Sequence, residues 1–288
     1  MDSFNLNNPV VAREHIRVAG AQGVTLSVQE WGNPNGQPIL FIHAYAMSHL
    51  GWLPQINSHL ADHFRLITFD HRGHGESDKP LTPDGYNQGD LFADDVHAVI
   101  TQLKLNKSML VAWSMSGALI GDYLEKYGDR NVSGIVFVAA ANKLGTPMFQ
   151  TQAGSVFMQP QAQGIYTDSI YEQIAAFNFI NRALTTNPVS RDAHDIILAT
   201  SMLTPTVMRR TILMRDVDYR SLYQRLQLPI LLVHAKDDRI VLPTAAEELL
   251  ALRPDAKHIL YYSGAHAPHW ENAEQFNQEL VNFVRAIL

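Results

Sequence analysis

The chain has 288 residues, 46% of them hydrophobic and 17% charged, with a net charge of −6 and no cysteine. That balance describes a soluble globular protein with a large core, built as one α/β domain or as a domain carrying an insertion. It excludes disulfides, cysteine–zinc sites and thiol catalysis, and the scattered Lys and Arg offer nothing to neutralise a nucleic-acid backbone. The opening residues, Met1-Asp2-Ser3-Phe4-Asn5, lack the basic-then-apolar pattern of a signal peptide. No run reaches the roughly 20 apolar residues of a membrane span, so the expected location is the cytoplasm. The sequons at Asn106 and Asn131 are accordingly read as chance matches.

Strands are predicted at 15–19, 24–31, 38–43, 65–69, 108–113, 134–140, 229–234 and 258–262. The short 20–23 connection makes the first two an antiparallel hairpin. The runs Ile39-Leu40-Phe41-Ile42, Ile135-Val136-Phe137-Val138 and Ile230-Leu231-Leu232-Val233 are apolar without alternation, as strands buried on both faces of a parallel sheet are. Helical patterns fall between them at 90–103, 115–127, 245–252 and 274–287. Strand–helix alternation of this kind predicts a doubly wound, mostly parallel eight-stranded sheet with helices on both faces.

One segment breaks the rhythm. Residues 142–223 show no convincing strand but have helical stretches at 169–184, 191–200 and 206–215, punctuated by Pro147, Pro160, Pro188 and Pro205. A helical block between two core strands reads as a cap over the end of the sheet. The expected division is therefore a core of 1–141 and 224–288 with a cap of 142–223. The cap must turn apolar surface toward the sheet end, and that surface would line a pocket.

Chemistry concentrates after the strands. The run Ser108-Met109-Leu110-Val111-Ala112-Trp113 ends at Ser114, which has small residues two before and two after it, and Gly117 follows. A sharp strand-to-helix turn exposes a serine hydroxyl and needs small neighbours to close. A serine nucleophile requires a base, and the base an orienting carboxylate. The Asp237-Asp238 pair follows the strand at 229–234, and His266 and His269 follow the strand at 258–262. Strand ends on one edge of a parallel sheet converge in space. Ser114, one of the two aspartates and one of the two histidines can therefore meet.

Taken together these segments resemble the α/β-hydrolase family, in its serine-nucleophile esterase and haloperoxidase-like branch with a helical cap. His43-Ala44-Tyr45 resembles the family's His-Gly-x turn. Asp70-His71-Arg72-Gly73-His74-Gly75-Glu76-Ser77 resembles its Asp-x-Arg-Gly-x-Gly-x-Ser motif, and Ala112-Trp113-Ser114-Met115-Ser116 its nucleophile elbow. Alignment on Arg239-Ile240-Val241 selects Asp238 as the acid, and the Gly264-Ala265-His266 loop selects His266 as the base. The alternative acid position, after the sixth strand, falls near Asn142, which is not acidic.

The resemblance implies an acyl-enzyme formed on Ser114, with His266 moving the proton and Asp238 holding the imidazole. The backbone N–H groups of Tyr45 and Met115 would form the oxyanion hole. Ala44 stands where glycine is usual, which narrows the backbone choices of that turn. Pocket walls are expected from Trp113 and Ala44 in the core and from Phe149, Phe157 and Phe177 in the cap.

The expected reaction is hydrolysis of a small carboxylic ester or lactone without a cofactor. C–C bond hydrolysis, cofactor-free perhydrolysis and a non-catalytic small-molecule receptor are the alternatives on the same scaffold. The pairs His71-x-x-His74 and His266-x-x-His269 have ligand-like spacing but lie in no His-Glu-x-x-His or acidic pattern, so no metal is expected. The Gly73-x-Gly75 pair follows a strand, but Asp78 stands where a dinucleotide fingerprint needs its third glycine. The oligomeric state is left open.

Overall fold

The computed structural model of the chain describes residues 4–7 and 9–287, so Met1–Ser3 of the N-terminal reading lie outside the described residues. Ten strands are present among them: β1 (Glu14–Ala19), β2 (Thr25–Gly32), β3 (Pro38–Ile42), β4 (Arg65–Phe69), β5 (Ser108–Trp113), β6 (Val132–Val138), β7 (Lys143–Leu144), β8 (Val217–Asp218), β9 (Ile230–Ala235) and β10 (Lys257–Tyr261). Eight of them form one sheet in the order β1-β2-β4-β3-β5-β6-β9-β10. The β1–β2 and β2–β4 pairs are antiparallel and every later pair is parallel. This is the α/β-hydrolase fold, and the eight strands are those expected, displaced at their ends by a residue or two.

Unbroken apolar runs become strands here because both faces of the sheet are covered. Along β5, Met109, Val111 and Trp113 enter one hydrophobic cluster while Leu110 and Ala112 enter the other. The same division separates Ile39 and Phe41 from Leu40 and Ile42 on β3, and Leu231 and Val233 from Ile230 and Leu232 on β9. Side chains alternate across a strand, so each run supplies both layers.

The helices are α1 (Leu53–Ile56), α2 (Leu60–His63), α3 (Gly89–Gln102), α4 (Ser116–Tyr127), α5 (Gly145–Thr151), α6 (Ile170–Asn181), α7 (Arg191–Met202), α8 (Thr206–Thr211), α9 (Arg220–Arg225), α10 (Thr244–Leu252), α11 (Pro268–Glu271) and α12 (Ala273–Arg285). Between β6 and β9 the chain is largely helical and packs Phe177, Ile180, Leu184 and Met208 onto the cluster beneath it. It also contains the two-residue strands β7 and β8, paired antiparallel through Lys143–Asp218 and Leu144–Val217. Strands this short carry no period for a sequence reading to detect, and they correct the expectation of a strand-free segment. No helix among the described residues is long and apolar enough to cross a membrane.

The loop leaving β4 is tied to α3 by a buried ion pair. Arg72 donates to both carboxylate oxygens of Asp95, through Nε at 2.6 Å and Nη2 at 2.7 Å, and both residues are essentially fully buried. Burial pushes the Asp95 carboxyl up, and the guanidinium only partly offsets it. Removing one partner of such a pair leaves a charge that neither water nor protein satisfies. Arg72→Met is therefore expected to lower unfolding free energy by about 3–5 kcal/mol, read as the urea midpoint. The double variant Arg72→Met/Asp95→Leu should recover a large part of that loss.

Candidate active site

Ser114 sits on a turn that its own chemistry disfavours. It follows β5 and precedes α4 with φ at +60°, in the left-handed region where a non-glycine residue is strained. Three backbone bonds hold it there: Ser114 N–H donates to Val138 O (3.1 Å), and Ser114 O accepts from Gly117 N (3.2 Å) and Ala141 N (3.0 Å). Small neighbours make the turn possible. A Cβ on Gly117 would lie 2.4 Å from the Ala141 carbonyl oxygen, closer than real contacts allow.

The loops after β9 and β10 bring the acid and base alongside. His266 Nε2 lies 2.8 Å from Ser114 Oγ, and its Nδ1 lies 2.9 Å from Asp238 Oδ2. Since Nδ1–H can only donate to the carboxylate, Nε2 is left to accept the serine hydroxyl. Asp238 Oδ1 accepts the N–H groups of Ile240 (2.8 Å) and Val241 (3.1 Å). His234 Nε2 stands 3.2 Å from Asp238 Oδ2. Burial alone would raise the Asp238 carboxyl, but the charges and hydrogen bonds of His266 and His234 outweigh it and hold it far below the usual range. Asp238 therefore stays ionised although it is 2% exposed.

The rival residues stand elsewhere. Asp237 is exposed to solvent. His269 is fully buried, with ring centroids 4.6 Å from both Trp52 and Trp113. Burial drives its pKa well below the ordinary histidine value. Asn142 spends its amide on Ala245 O (3.1 Å) and the Gln152 side chain (2.9 Å).

The turn after β3 faces Ser114. Its left-handed residue is Ala46, with φ at +54°, while Ala44 adopts no positive φ. Alanine at position 44 is thus no obstacle to this turn. Neither the Tyr45 N–H nor the Met115 N–H donates to a described residue.

Buried histidines brace the turn, and their bonding assigns their protons. His43 Nε2 accepts the His71 N–H (3.1 Å), which leaves Nδ1–H to donate to Ala44 O (2.8 Å). His74 Nε2 accepts the Ala46 N–H (3.2 Å) and donates from Nδ1 to Arg72 O (3.1 Å). The Ser116 hydroxyl donates to His43 O and accepts from His71 Nε2 (3.1 Å). Asp70 receives the backbone N–H groups of His49 (2.7 Å) and Glu76 (2.9 Å) and the His49 ring at 3.0 Å. Among the described residues no group of three or more His, Cys, Asp or Glu side chains is placed to hold a metal ion.

A cavity of about 30 Å³ opens beside Ser114 and His266. Ala44, Phe157 and Phe177 line it, as does Tyr45. Trp113 and Phe149 do not. Trp113 packs in the same hydrophobic cluster as the cavity wall, enclosed by Trp52, His269 and Trp270, and donates Nε1–H to His266 O (2.8 Å), supporting that loop. Phe149 is half-buried on α5, away from the cavity wall. Ala46, Met47, Ile180, Asn181, Leu184, Ser201 and Ile240 complete the lining. Phe177, Ile180 and Asn181 fall at i, i+3 and i+4 on one face of α6, and Leu184 follows in the turn beyond its end. That spacing was the available signal for the inward wall of α6.

Known proteins share this fold over nearly the whole chain. Residues 37–168 match the family model described as alpha/beta hydrolase fold. A solved structure from Burkholderia cenocepacia, described provisionally as an aryl esterase, is 31% identical with a TM-score of 0.89, covering 95% of this chain and 99% of its own. The chain belongs to the α/β-hydrolase fold family. A non-heme chloroperoxidase of Kitasatospora aureofaciens is 27% identical over 91% of this chain and 96% of its own length. A bifunctional esterase/perhydrolase of Acinetobacter calcoaceticus is 26% identical over 93% and 99%. Within the family the chain stands in the esterase and haloperoxidase-like branch.

The buried histidines give the protein a definite acid response. Burial is the main cause that lowers His43 to about 4 and His74 to about 3. His71 is lowered by burial and by its histidine neighbours. Below the ordinary value of 6.5 the unfolded chain protonates these rings while the folded protein refuses the proton, so stability falls as pH drops from 6.5 toward 4. His49 works the other way: burial lowers it, but Asp70 more than compensates and raises it, so its contribution is full in acid and fades as pH rises. His269 and His258 are lowered by burial as well, so five rings stand against one, and urea midpoints should decline between pH 6.5 and 4.5. His74→Gln, whose amide oxygen can still accept the Ala46 N–H, should flatten that decline.

Proposed function

We propose that the protein is a serine hydrolase that cleaves a small carboxylic ester or lactone through an acyl-enzyme on Ser114. The observation that carries this reading is the continuous chain from Ser114 Oγ to His266 (2.8 Å) to Asp238 (2.9 Å), anchored on a left-handed serine. The esterase relatives and the shared fold support it.

In this mechanism Ser114 Oγ attacks the carbonyl carbon as its proton passes to His266 Nε2. Ionised Asp238 stabilises the imidazolium and keeps Nδ1–H facing it. The carbonyl oxygen, now negative, sits against the free N–H groups of Tyr45 and Met115. His266 then protonates the leaving alkoxide, and the carbon–oxygen bond breaks to leave Ser114 acylated. Water, deprotonated by the same imidazole, attacks the acyl carbon, and the departing Ser114 Oγ recovers the proton. Residues 142–223 act as the cap that closes the site, with 1–141 and 224–288 as the core.

A second reading shares every step up to deacylation. Hydrogen peroxide replaces water as the attacking group, giving a peracid and free Ser114. The bifunctional esterase/perhydrolase among the relatives favours keeping it. The two readings are separated by whether peracid forms when an ester and peroxide are supplied together.

Two measurements test the assignments. A fluorophosphonate probe should label the protein, and Ser114→Ala should abolish labelling; unlabelled, folded wild type would overturn the reading. In ester hydrolysis, His266→Ala should lower turnover by roughly 10⁴-fold or more, whereas His269→Ala should retain labelling and chiefly lower thermal stability. Asp238→Asn should cost about 10⁴-fold by favouring the wrong imidazole tautomer, and Asp237→Asn should stay near wild type. Loss confined to the Asp237 or His269 variant would reassign the site.

A further inference from the structure

Among the described residues, each buried carboxylate or cation faces an opposite charge or an imidazole, with one exception. Glu30 faces Arg13 and Arg65, Asp70 faces His49, Arg72 faces Asp95, Asp122 faces Arg215, Lys143 faces Glu248, Asp238 faces His266, and Arg253 faces Asp255. Arg209, on α8, is 2% exposed and has no carboxylate partner among the described residues. Its Nη2 donates to the Gln173 amide oxygen (2.9 Å) and to Thr206 Oγ1 (3.0 Å), while Nε and Nη1 have no acceptor. A guanidinium carries its charge under all ordinary conditions and cannot relieve burial by losing a proton. Burying it without an anion is costly, and two hydrogen bonds and an aromatic face offset that cost only in part.

The position of Arg209 indicates what would match it. Its guanidinium lies over the Phe177 ring, 5.2 Å from the centroid. Phe177 also lines the cavity beside Ser114 and His266. Tyr45, on the same cavity wall, donates its hydroxyl to the Arg209 carbonyl (3.2 Å). The ring that the unmatched cation lies over therefore also lines the cavity that holds the reacting serine. The cavity of about 30 Å³ has room for little more than a water molecule. A substrate larger than a few atoms needs part of this lining to move, and a move of Phe177 would open the cavity toward the guanidinium.

We propose that Arg209 receives a carboxylate carried by the substrate, so that the ester or lactone cleaved at Ser114 has an acid at its far end. The proposal rests on the serine-hydrolase reading and narrows its substrate class. The carboxylate supplies the acceptors that Nε and Nη1 lack, while Gln173 and Thr206 keep Nη2 in place. Neutral esters of equal length forgo that interaction.

The test compares charged substrates with neutral isosteres. Monoethyl esters of succinate, glutarate, adipate and pimelate place the acid on the acyl side. Acetates of glycolic, 3-hydroxypropionic and 4-hydroxybutyric acids place it on the alcohol side. Each is paired with the methyl ketone of the same shape, and hydrolysis is followed by proton release. In at least one pair kcat/KM should favour the acid by about 10- to 100-fold, the range of a hydrogen bond to a charged group. Arg209→Met should bring that ratio near unity, and Arg209→Lys should keep its direction at reduced size.

Glutarate and adipate should also raise the thermal midpoint of the wild type and not of Arg209→Met, a readout that needs no turnover. Neutral members cleaved as well as acids in every pair, or a preference that survives in Arg209→Met, overturns the proposal and leaves the serine-hydrolase reading intact. Absence of fluorophosphonate labelling overturns that underlying reading instead, while the thermal shift still reports on Arg209. If Arg209→Met does not fold, Arg209→Lys carries the comparison, and an unchanged ratio there together with no thermal shift in the wild type overturns the proposal.

Discussion

The left-handed turn at Ser114 is the constraint on which the site depends. A β-carbon in that region crowds its own backbone, so the conformation persists only when its surroundings over-determine it. Here they do so through hydrogen bonds to Val138, Gly117 and Ala141, which tie the turn to the ends of β5 and β6. The turn lifts the hydroxyl above the sheet edge, where the loops after β9 and β10 deliver Asp238 and His266. Trp113, the last residue of β5, ties the histidine loop to that strand by donating to His266 O.

The polar groups behind the turn show how a buried site is kept in one geometry. His43, His71 and His74 act as neutral rings with assigned donors and acceptors, and each bond fixes the residues from 43 to 46 more tightly. Asp70 collects backbone N–H groups from His49 and Glu76 and so fastens this turn to the loop after β4. Such networks are stabilising only when every member is satisfied. Arg209 departs from that pattern and is the place where the free protein lacks a partner that a ligand can provide.

Much of this was legible in the chain because it rests on local patterning. Apolar runs without alternation marked buried strands, small residues around Ser114 marked a tight turn, and the order serine, acid, base followed strand ends. What the reading missed has identifiable causes. Strands β7 and β8 are two residues long and have no period. Trp113 lies in the same cluster as the cavity wall but is enclosed by Trp52, His269 and Trp270, which come from elsewhere in the chain and leave its ring no face on the cavity. Phe149 was indistinguishable by type from Phe157 and Phe177, since aromatic content in a helical segment does not say which helix face turns inward.

The sequence by itself determined the strand-and-helix alternation, the elbow and the candidates for acid and base, since each follows from spacing along the chain. The residues alone left both aspartates and both histidines open, the family resemblance favoured one of each, and the tertiary structure supplies the physical reason. Asp238 rather than Asp237 reaches His266, because the turn buries one and exposes the other. His266 rather than His269 reaches Ser114, because the latter ring is enclosed by Trp52 and Trp113. The solitary charge of Arg209 was equally invisible in one dimension. Whether a cation is paired depends on what folds against it from far away in the chain, and composition records only that it is there.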